Sequence, residues 1–287
     1  MKVGWKAFAV AFAGVSALLI SMPVTHGADV DALVEAVEAK VVERRRDIHQ
    51  HPELGNREFR TAALVAEHLR GLGLEGRTGI AHTGVVGILR GSQPGPRVAL
   101  RAGMDALPGT EQVDLPFASQ VTTEFRGQKT GVMHACGHDA HVAILMGVAE
   151  ALAGIKEQLT GEVMFIFQPA EEGPPEGGKG GAELMTKEGL FADFMPDAVF
   201  GLHVVAGIPA DVIAVRPDIF NGLRQIAEHV AAAHEATVEL DVPWMNGYPV
   251  THNDAEPTSA MHAALQRAAR GKMIEIPLIT GAVGAGA

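Results

Sequence analysis

Cys136 is the only cysteine in the chain. It lies in the run Met133-His134-Ala135-Cys136-Gly137-His138-Asp139. Further along come Gln168-Pro169-Ala170-Glu171-Glu172-Gly173 and then Gly201-Leu202-His203, each closing an apolar stretch. A thiolate, imidazoles and paired carboxylates suit one or two divalent metal ions, with a carboxylate left over to move protons. In an extended segment Cys136 and His138, two apart, would point to the same side and could reach one site. Glu171 and Glu172 would face opposite ways on a straight strand. The sequence Gly173-Pro174-Pro175 forces a loop there, which lets one carboxylate ligate metal while the other faces the attacked bond. Each signal has a plainer reading: a buried structural cysteine, an exposed acidic turn, a core histidine. Three such signals at strand ends in one chain weigh more than any alone. A cysteine-nucleophile hydrolase is the rival chemistry, and it needs a histidine within hydrogen-bonding reach of Cys136. It leaves the glutamate pair unexplained.

These residues need a scaffold that delivers them together, and the pattern around them supplies one. Apolar residues recur at helical spacing from Asp29 to Arg46, and Pro52 ends that helix by disfavouring helical geometry at His51. A second amphipathic helix runs from Thr61 to Leu72, stopped by Gly71 and Gly73. Short β-rich runs follow at Gly84–Leu89 and Arg97–Ala102, joined by a turn over Gly91–Pro96. Then come a helix over His141–Leu152, a strand over Glu162–Phe167, a helix opening at Gly181–Lys187 and a strand over Ala198–His203. Further helices are expected at Ile219–His234 and Thr258–Arg270, with a strand at Ala236–Val242. Alternating helices and strands make an α/β fold the expectation, with polar residues at the carboxyl ends of strands, where open sheets place their sites.

The chain has 287 residues, 47% of them hydrophobic, which is ample for a core. Its net charge of -11 argues against nucleic acid, since no basic stripe is there to neutralise phosphates. The Arg44-Arg45-Arg46 cluster sits beside Glu43 and Asp47 on a helix and reads as a solvated face. The glycines around Lys179 lack the spacing and the Ser/Thr of a phosphate loop. Lys2 and Lys6, an apolar run from Ala7 to Ile20, and small residues to Gly27-Ala28 have the order of a secretory signal. That run falls short of the roughly 20 residues a membrane span needs. The expectation is a periplasmic or secreted protein with no stable membrane span after processing. In an oxidising compartment a lone cysteine has no internal partner, so metal ligation is a reason to keep it.

The motifs Arg46-Asp47-Ile48-His49-Gln50-His51-Pro52-Glu53-Leu54, Met104-Asp105-Ala106-Leu107-Pro108, the cysteine run, Gln168–Gly173 and Gly201-Leu202-His203-Val204 together resemble the bacterial amidohydrolases of N-acyl amino acids. That group includes hippurate hydrolase and relatives of the plant auxin-conjugate hydrolases. The resemblance implies a zinc-peptidase-like catalytic domain with a central mixed sheet flanked by helices, plus a smaller α+β satellite domain. By the same resemblance, Cys136, His138, Glu172 and His203 look like metal ligands in a site for two divalent ions, manganese or zinc, with nickel or cobalt as alternatives. Glu171 looks like the general base, and Asp105 like a residue that orients a histidine. The implied substrate is a small N-acyl amino acid or a dipeptide-like molecule.

Some features depart from that pattern. The family usually has an aspartate two residues before Asp105, where this chain has Gly103. Its members carry an inserted dimerisation domain with a histidine that reaches the partner's active site, and a final stretch with a further metal-binding histidine. The expected division is a signal over 1–28, a catalytic domain over 29–217, a remnant of the satellite over 218–246, and a shortened return to the catalytic domain over 247–287. The dimer surface is then largely missing and the metal site short of a ligand. A metal-binding protein of this fold with little turnover is the alternative function.

Overall fold

The computed structural model describes residues 30–205, 212–215, 255–268 and 272–275. The signal segment, the expected helix at Ile219–His234 and the expected strand at Ala236–Val242 lie outside the described residues. Among the described residues no helix is long and apolar enough to cross a membrane.

The described residues begin with two helices, α1 (Val30–Gln50) and α2 (Phe59–Gly71). The first stops two residues before Pro52, as its steric demand on His51 requires. Five strands then build the main sheet: β1 (Glu75–Ile80), β2 (Gly84–Arg90), β3 (Gln93–Gly103), β7 (Thr160–Gln168) and β8 (Ala198–Gly201), in the spatial order β1-β2-β7-β3-β8. The sheet is mixed: β1, β2 and β7 pair antiparallel, whereas β3 lies parallel to both β7 and β8. Between β3 and β7 come β4 (Leu107–Pro108), β5 (Thr122–Phe125) and β6 (Gln128–Met133), a small antiparallel sheet, and then α3 (His138–Gly154). Helix α4 (Gly181–Lys187) precedes β8. Strand β9 (Val212–Val215) pairs parallel with β10 (Lys272–Glu275), and a further helix spans Ala255–Ala268.

The run Val163-Met164-Phe165-Ile166-Phe167 explains why β7 is central. Alternate side chains enter opposite cores, so a strand buried on both faces is apolar throughout. Phe165 and Phe167 pack with Ile48, Val65, Leu69, Val142 and Met146 from α1, α2 and α3. Met164 and Ile166 pack on the other face with Met185, Leu190 and Phe194. Fully burying one such side chain stabilises by about 1.5–3 kcal/mol. These two cores fix β7 and β3, and hence the level at which both strands end.

The strand register is what positions the site. Gly103 pairs with Gln168, and Arg101 with Gly201, so the three parallel strands release their chains at one edge. Among the differences from expectation are two strand boundaries and one further strand. Strand β3 begins at Gln93, inside the expected turn, with an irregular register between Gln93 and Arg97. Strand β8 ends at Gly201, so His203 lies just past the strand rather than on it. Strand β1 was not expected: its sequence is polar with two glycines, which an edge strand tolerates.

Candidate metal centre

At that edge β3 runs into Met104-Asp105, β7 into Pro169-Ala170-Glu171-Glu172, and β8 into Leu202-His203, while α3 begins at His138. The glutamate pair is not on a strand. Ala170 has φ of 47°, in the left-handed region, and this turn redirects the chain after Gln168. Both carboxylates consequently reach the same ring: Glu171 Oε2 lies 3.3 Å and Glu172 Oε1 4.0 Å from His138 Nε2.

Cys136 and His138 also converge differently from expectation. The segment is not extended, because Gly137 has φ of 96° and His138 is the first residue of α3. A left-handed turn at the helix N-terminus, rather than strand alternation, brings the two side chains together. Space enforces glycine there as well, since a Cβ on Gly137 would lie 2.3 Å from Val204 Cγ2. Gly137→Ala should therefore cost about 1–2 kcal/mol for the left-handed backbone alone. It should also push the loop carrying His203 outward. Thermal melting together with metal titration checks both parts, and unchanged values would remove the constraint.

Two overlapping groups of ligand atoms result, Cys136 with His138 and His203, and His138 with Glu171 and Glu172. Within each group the atoms lie within 4.8 Å of one another. Cys136 Sγ is 3.2 Å from His203 Nε2. The His203 tautomer follows from its other nitrogen: Nδ1 lies 2.7 Å from the Val204 carbonyl oxygen and must donate to it. In the neutral ring this leaves the lone pair on Nε2. His138 is arranged likewise, with Nδ1 donating to the Asp105 carbonyl oxygen at 2.8 Å and lying 3.2 Å from Asp105 Oδ1. The other Asp105 oxygen accepts the Glu172 backbone N–H at 2.8 Å.

Electrostatics identify what this donor set is built for. Burial by itself would push the His138 pKa down, yet the Asp105 and Glu171 carboxylates override it and hold it up at about 10. The proton on Nε2 faces two carboxylates and stands where a cation would bind. Burial, then Glu172 and the neighbouring carboxylates, pushes the Cys136 thiol up to about 12. A divalent cation reverses both effects, since a coordinating thiol loses its proton outright and the imidazole becomes a neutral ligand. The residues present therefore fit a divalent metal. Among the described residues they fit a single ion best, because His138 belongs to both groups and its Nδ1 is already committed to Asp105.

Several residues that support the site carried no role in the sequence reading. His141, one turn after His138, accepts the Val204 N–H on Nε2 at 2.9 Å and stacks edge-on against His203, at 4.7 Å between ring centroids. His49 links α1 to the start of α3, its Nδ1 being 2.8 Å from Asp139 Oδ2 and its Nε2 2.9 Å from Glu111 Oε1. Arg45 Nε also meets Asp139 at 2.8 Å. Arg101 donates from Nε to Gln168 Oε1 at 2.8 Å and lies 3.9 Å from Glu171. At Gly103 a Cβ would come within 2.9 Å of the His138 ring, so an aspartate there would require the imidazole to shift.

Glu58 is buried completely, and burial pushes its carboxyl up from 4.5 to about 7. The folded chain thus holds this proton more tightly than the unfolded chain. The associated stability is complete below about 4.5 and is lost as pH rises through about 7. Glu58→Gln, which does not titrate, should flatten the fall in stability over that window by about 3 kcal/mol, as read by denaturant unfolding at several pH values. An identical pH dependence in the variant would contradict the shift.

The profile of peptidase family M20/M25/M40 matches residues 99–286. Thermostable carboxypeptidase 1 of Saccharolobus solfataricus is 45% identical over 211 residues, covering 70% of this chain and 50% of the relative. The N-acyl-L-amino acid amidohydrolase of Geobacillus stearothermophilus is 40% identical over 176 residues, covering 61% of this chain and 44% of the relative. The chain spans about half the length of these curated relatives. Among solved structures, the YXEP protein of Bacillus subtilis, described as a dinuclear metal-binding peptidase of the M20 family, superposes with a TM-score of 0.65 at 25% identity. That match covers 86% of this chain and 84% of the other. The match spans the ends of β3, β7 and β8 and the start of α3, the stretch on which every candidate ligand lies, and the chain belongs to peptidase family M20/M25/M40.

Proposed function

We propose that this chain is a metal-dependent hydrolase of linear amides that releases the amino acid from a small N-acyl amino acid, hippurate being the simplest probe. The observation that carries the reading is the convergence on His138 Nε2 of two carboxylates, with a thiol and a second imidazole in the overlapping group. Cys136, His138, Glu172 and His203 would hold divalent metal, and metal binding as such is in keeping with the B. subtilis relative, which is described as a dinuclear metal-binding peptidase. Bound there, the cation supplies Lewis acidity toward an amide carbonyl and toward water.

The chain's own residues do the rest. Glu171, nearly buried and steadied by Arg101 and His138, takes the proton from the attacking water and returns it to the departing amine nitrogen. Asp105 fixes the His138 ring through Nδ1, and with it the direction of Nε2. The same aspartate ties down the Glu172 backbone. We place the protein in the periplasm or outside the cell on its leader-like first residues. Incubating the metal-loaded protein with a panel of N-acyl amino acids and assaying free amine tests the activity. Release of amine from at least one N-acyl amino acid is expected, and none from any member would sink it.

One observation favours the nucleophilic-cysteine reading, namely the 3.2 Å contact between Cys136 Sγ and His203 Nε2. Geometry alone satisfies that mechanism. Burial of the thiol and the carboxylates around it oppose it, because a nucleophilic cysteine needs a lowered pKa and Cys136 is pushed up to about 12.

A further inference from the structure

The turn that aims Glu171 and Glu172 is held from a distant part of the chain. Residues 51–58, between α1 and α2, run alongside both site turns. The Ala106 N–H donates to the Glu53 carbonyl oxygen at 2.8 Å, next to Asp105. The Glu53 carboxylate accepts the N–H groups of Arg60 and Thr61 at 2.9 and 2.8 Å, and so serves the first turn of α2. Glu58 directly precedes that helix, yet its side chain makes no capping bond. It turns inward instead. Oε1 accepts the Ala170 N–H at 2.7 Å, and Oε2 accepts the Thr83 hydroxyl at 2.5 Å.

A fully buried carboxyl is costly unless hydrogen bonds offset its desolvation, and this one gives one of its two bonds to a loop 112 residues away. The amide it holds belongs to Ala170, a non-glycine residue with φ of 47°. Such a conformation persists where the surroundings over-determine it. The approach is close on the other side as well, since a Cβ on Gly55 would lie 2.6 Å from the Gly173 carbonyl oxygen. The very next residue after Ala170 is Glu171, 3.3 Å from His138 Nε2.

We infer that Glu58 is a positioning residue: by holding the Ala170 amide it maintains the left-handed turn that directs Glu171 and Glu172 at His138. This rests on the reading of Glu171 as base and Glu172 as ligand. The role requires an acceptor oxygen and not a charge, so the two isosteric replacements divide. Glu58→Gln keeps an oxygen for Ala170, whereas Glu58→Met fills the same space without one.

The test titrates the metal-free parent and both variants with Co²⁺ by calorimetry, and measures hippurate hydrolysis and thermal melting alongside. Glu58→Gln should bind Co²⁺ within about threefold of the parent. Glu58→Met should lose about tenfold to a hundredfold in Co²⁺ affinity and in kcat with little change in KM, the usual effect of removing a residue that orients a ligand. Equal Co²⁺ affinity in folded Glu58→Met and parent would overturn the inference, even if the melting temperature falls, and so would equal losses in both variants. A parent that takes up no Co²⁺ would refute the metal reading itself. The crystal structure of Glu58→Met then decides the inference separately, with a positive φ retained at Ala170 contradicting it and a relaxed turn supporting it. If Glu58→Met does not fold, Thr83→Val, which releases one carboxylate oxygen, should show a smaller loss of Co²⁺ affinity in the same direction. No loss there would contradict the anchoring role.

Discussion

Glu171→Gln should lower hippurate turnover by about a hundredfold to ten-thousandfold, the usual contribution of a general base, while leaving metal content nearly unchanged. The amide keeps the size and one acceptor oxygen of the carboxylate but cannot take a proton. Glu172→Gln should behave in the opposite way. Its carboxylate lies 4.0 Å from His138 Nε2, at the exposed side of the cluster, where it would join His138 in holding a cation. Replacing it with a neutral, weaker donor should release metal, and activity should return in part when excess metal is added. Steady-state kinetics with metal analysis of both variants separates the roles. If Glu171→Gln loses the metal and Glu172→Gln keeps it, the assignment within the pair is reversed.

The second large effect is expected from chelation. Without the cation the buried cluster holds Asp105, Glu171 and a His138 ring whose pKa is held at about 10, so a proton occupies Nε2 and the Cys136 thiol stays neutral. Such a site has no Lewis acid and no activated water. Exhaustive chelation should abolish hippurate hydrolysis, and divalent metal should restore it. Alkylation of Cys136 should be slow in the metal-free protein, because its thiol carries almost no thiolate near neutrality. Activity that survives chelation and dies on alkylation would establish the cysteine mechanism instead. Metal content is expected to be below two ions per chain, since His138 is common to both ligand groups among the described residues.

Much of the scaffold was legible in the sequence because burial on both faces leaves an apolar run. The strand expected over Glu162–Phe167 is the middle of β7, and the amphipathic helix expected over Thr61–Leu72 is α2. Two of the unpredicted elements pair without any apolar patterning to announce them. Strand β1 is polar, and the β5–β6 hairpin turns on Arg126 and Gly127, both at positive φ, 50° and 73°. A residue pair of that kind is a hairpin signal, weaker here because arginine replaces the usual asparagine or aspartate.

The candidate site was legible in its residue types and not in its geometry. Cys136, His138, Glu171, Glu172 and His203 were named from strand ends, and the structure gathers them in two overlapping groups. The means of gathering them were hidden. Two left-handed residues do it: Gly137, where strand alternation was expected, and Ala170, where a loop forced by Gly173-Pro174-Pro175 was expected. Glycine at 137 is a readable hint, whereas alanine at 170 is not, since its conformation is imposed by Glu58 and by close backbone packing. Long-range supports such as His49 with Asp139 and His141 with Val204 leave no local pattern that spacing could expose.

The most direct test of the account is a titration of metal-free protein with Co²⁺ followed by absorption spectroscopy. A cobalt–thiolate bond gives a sulfur-to-metal charge-transfer band in the near ultraviolet that oxygen and nitrogen ligands do not give. The band should grow with added Co²⁺ to an end point below two ions per chain, be absent in Cys136→Ser, and be strongly weakened in His138→Ala. Cobalt uptake with no such band, or a band unaffected by loss of His138, would show that Cys136 and His138 do not share a metal and would contradict the account.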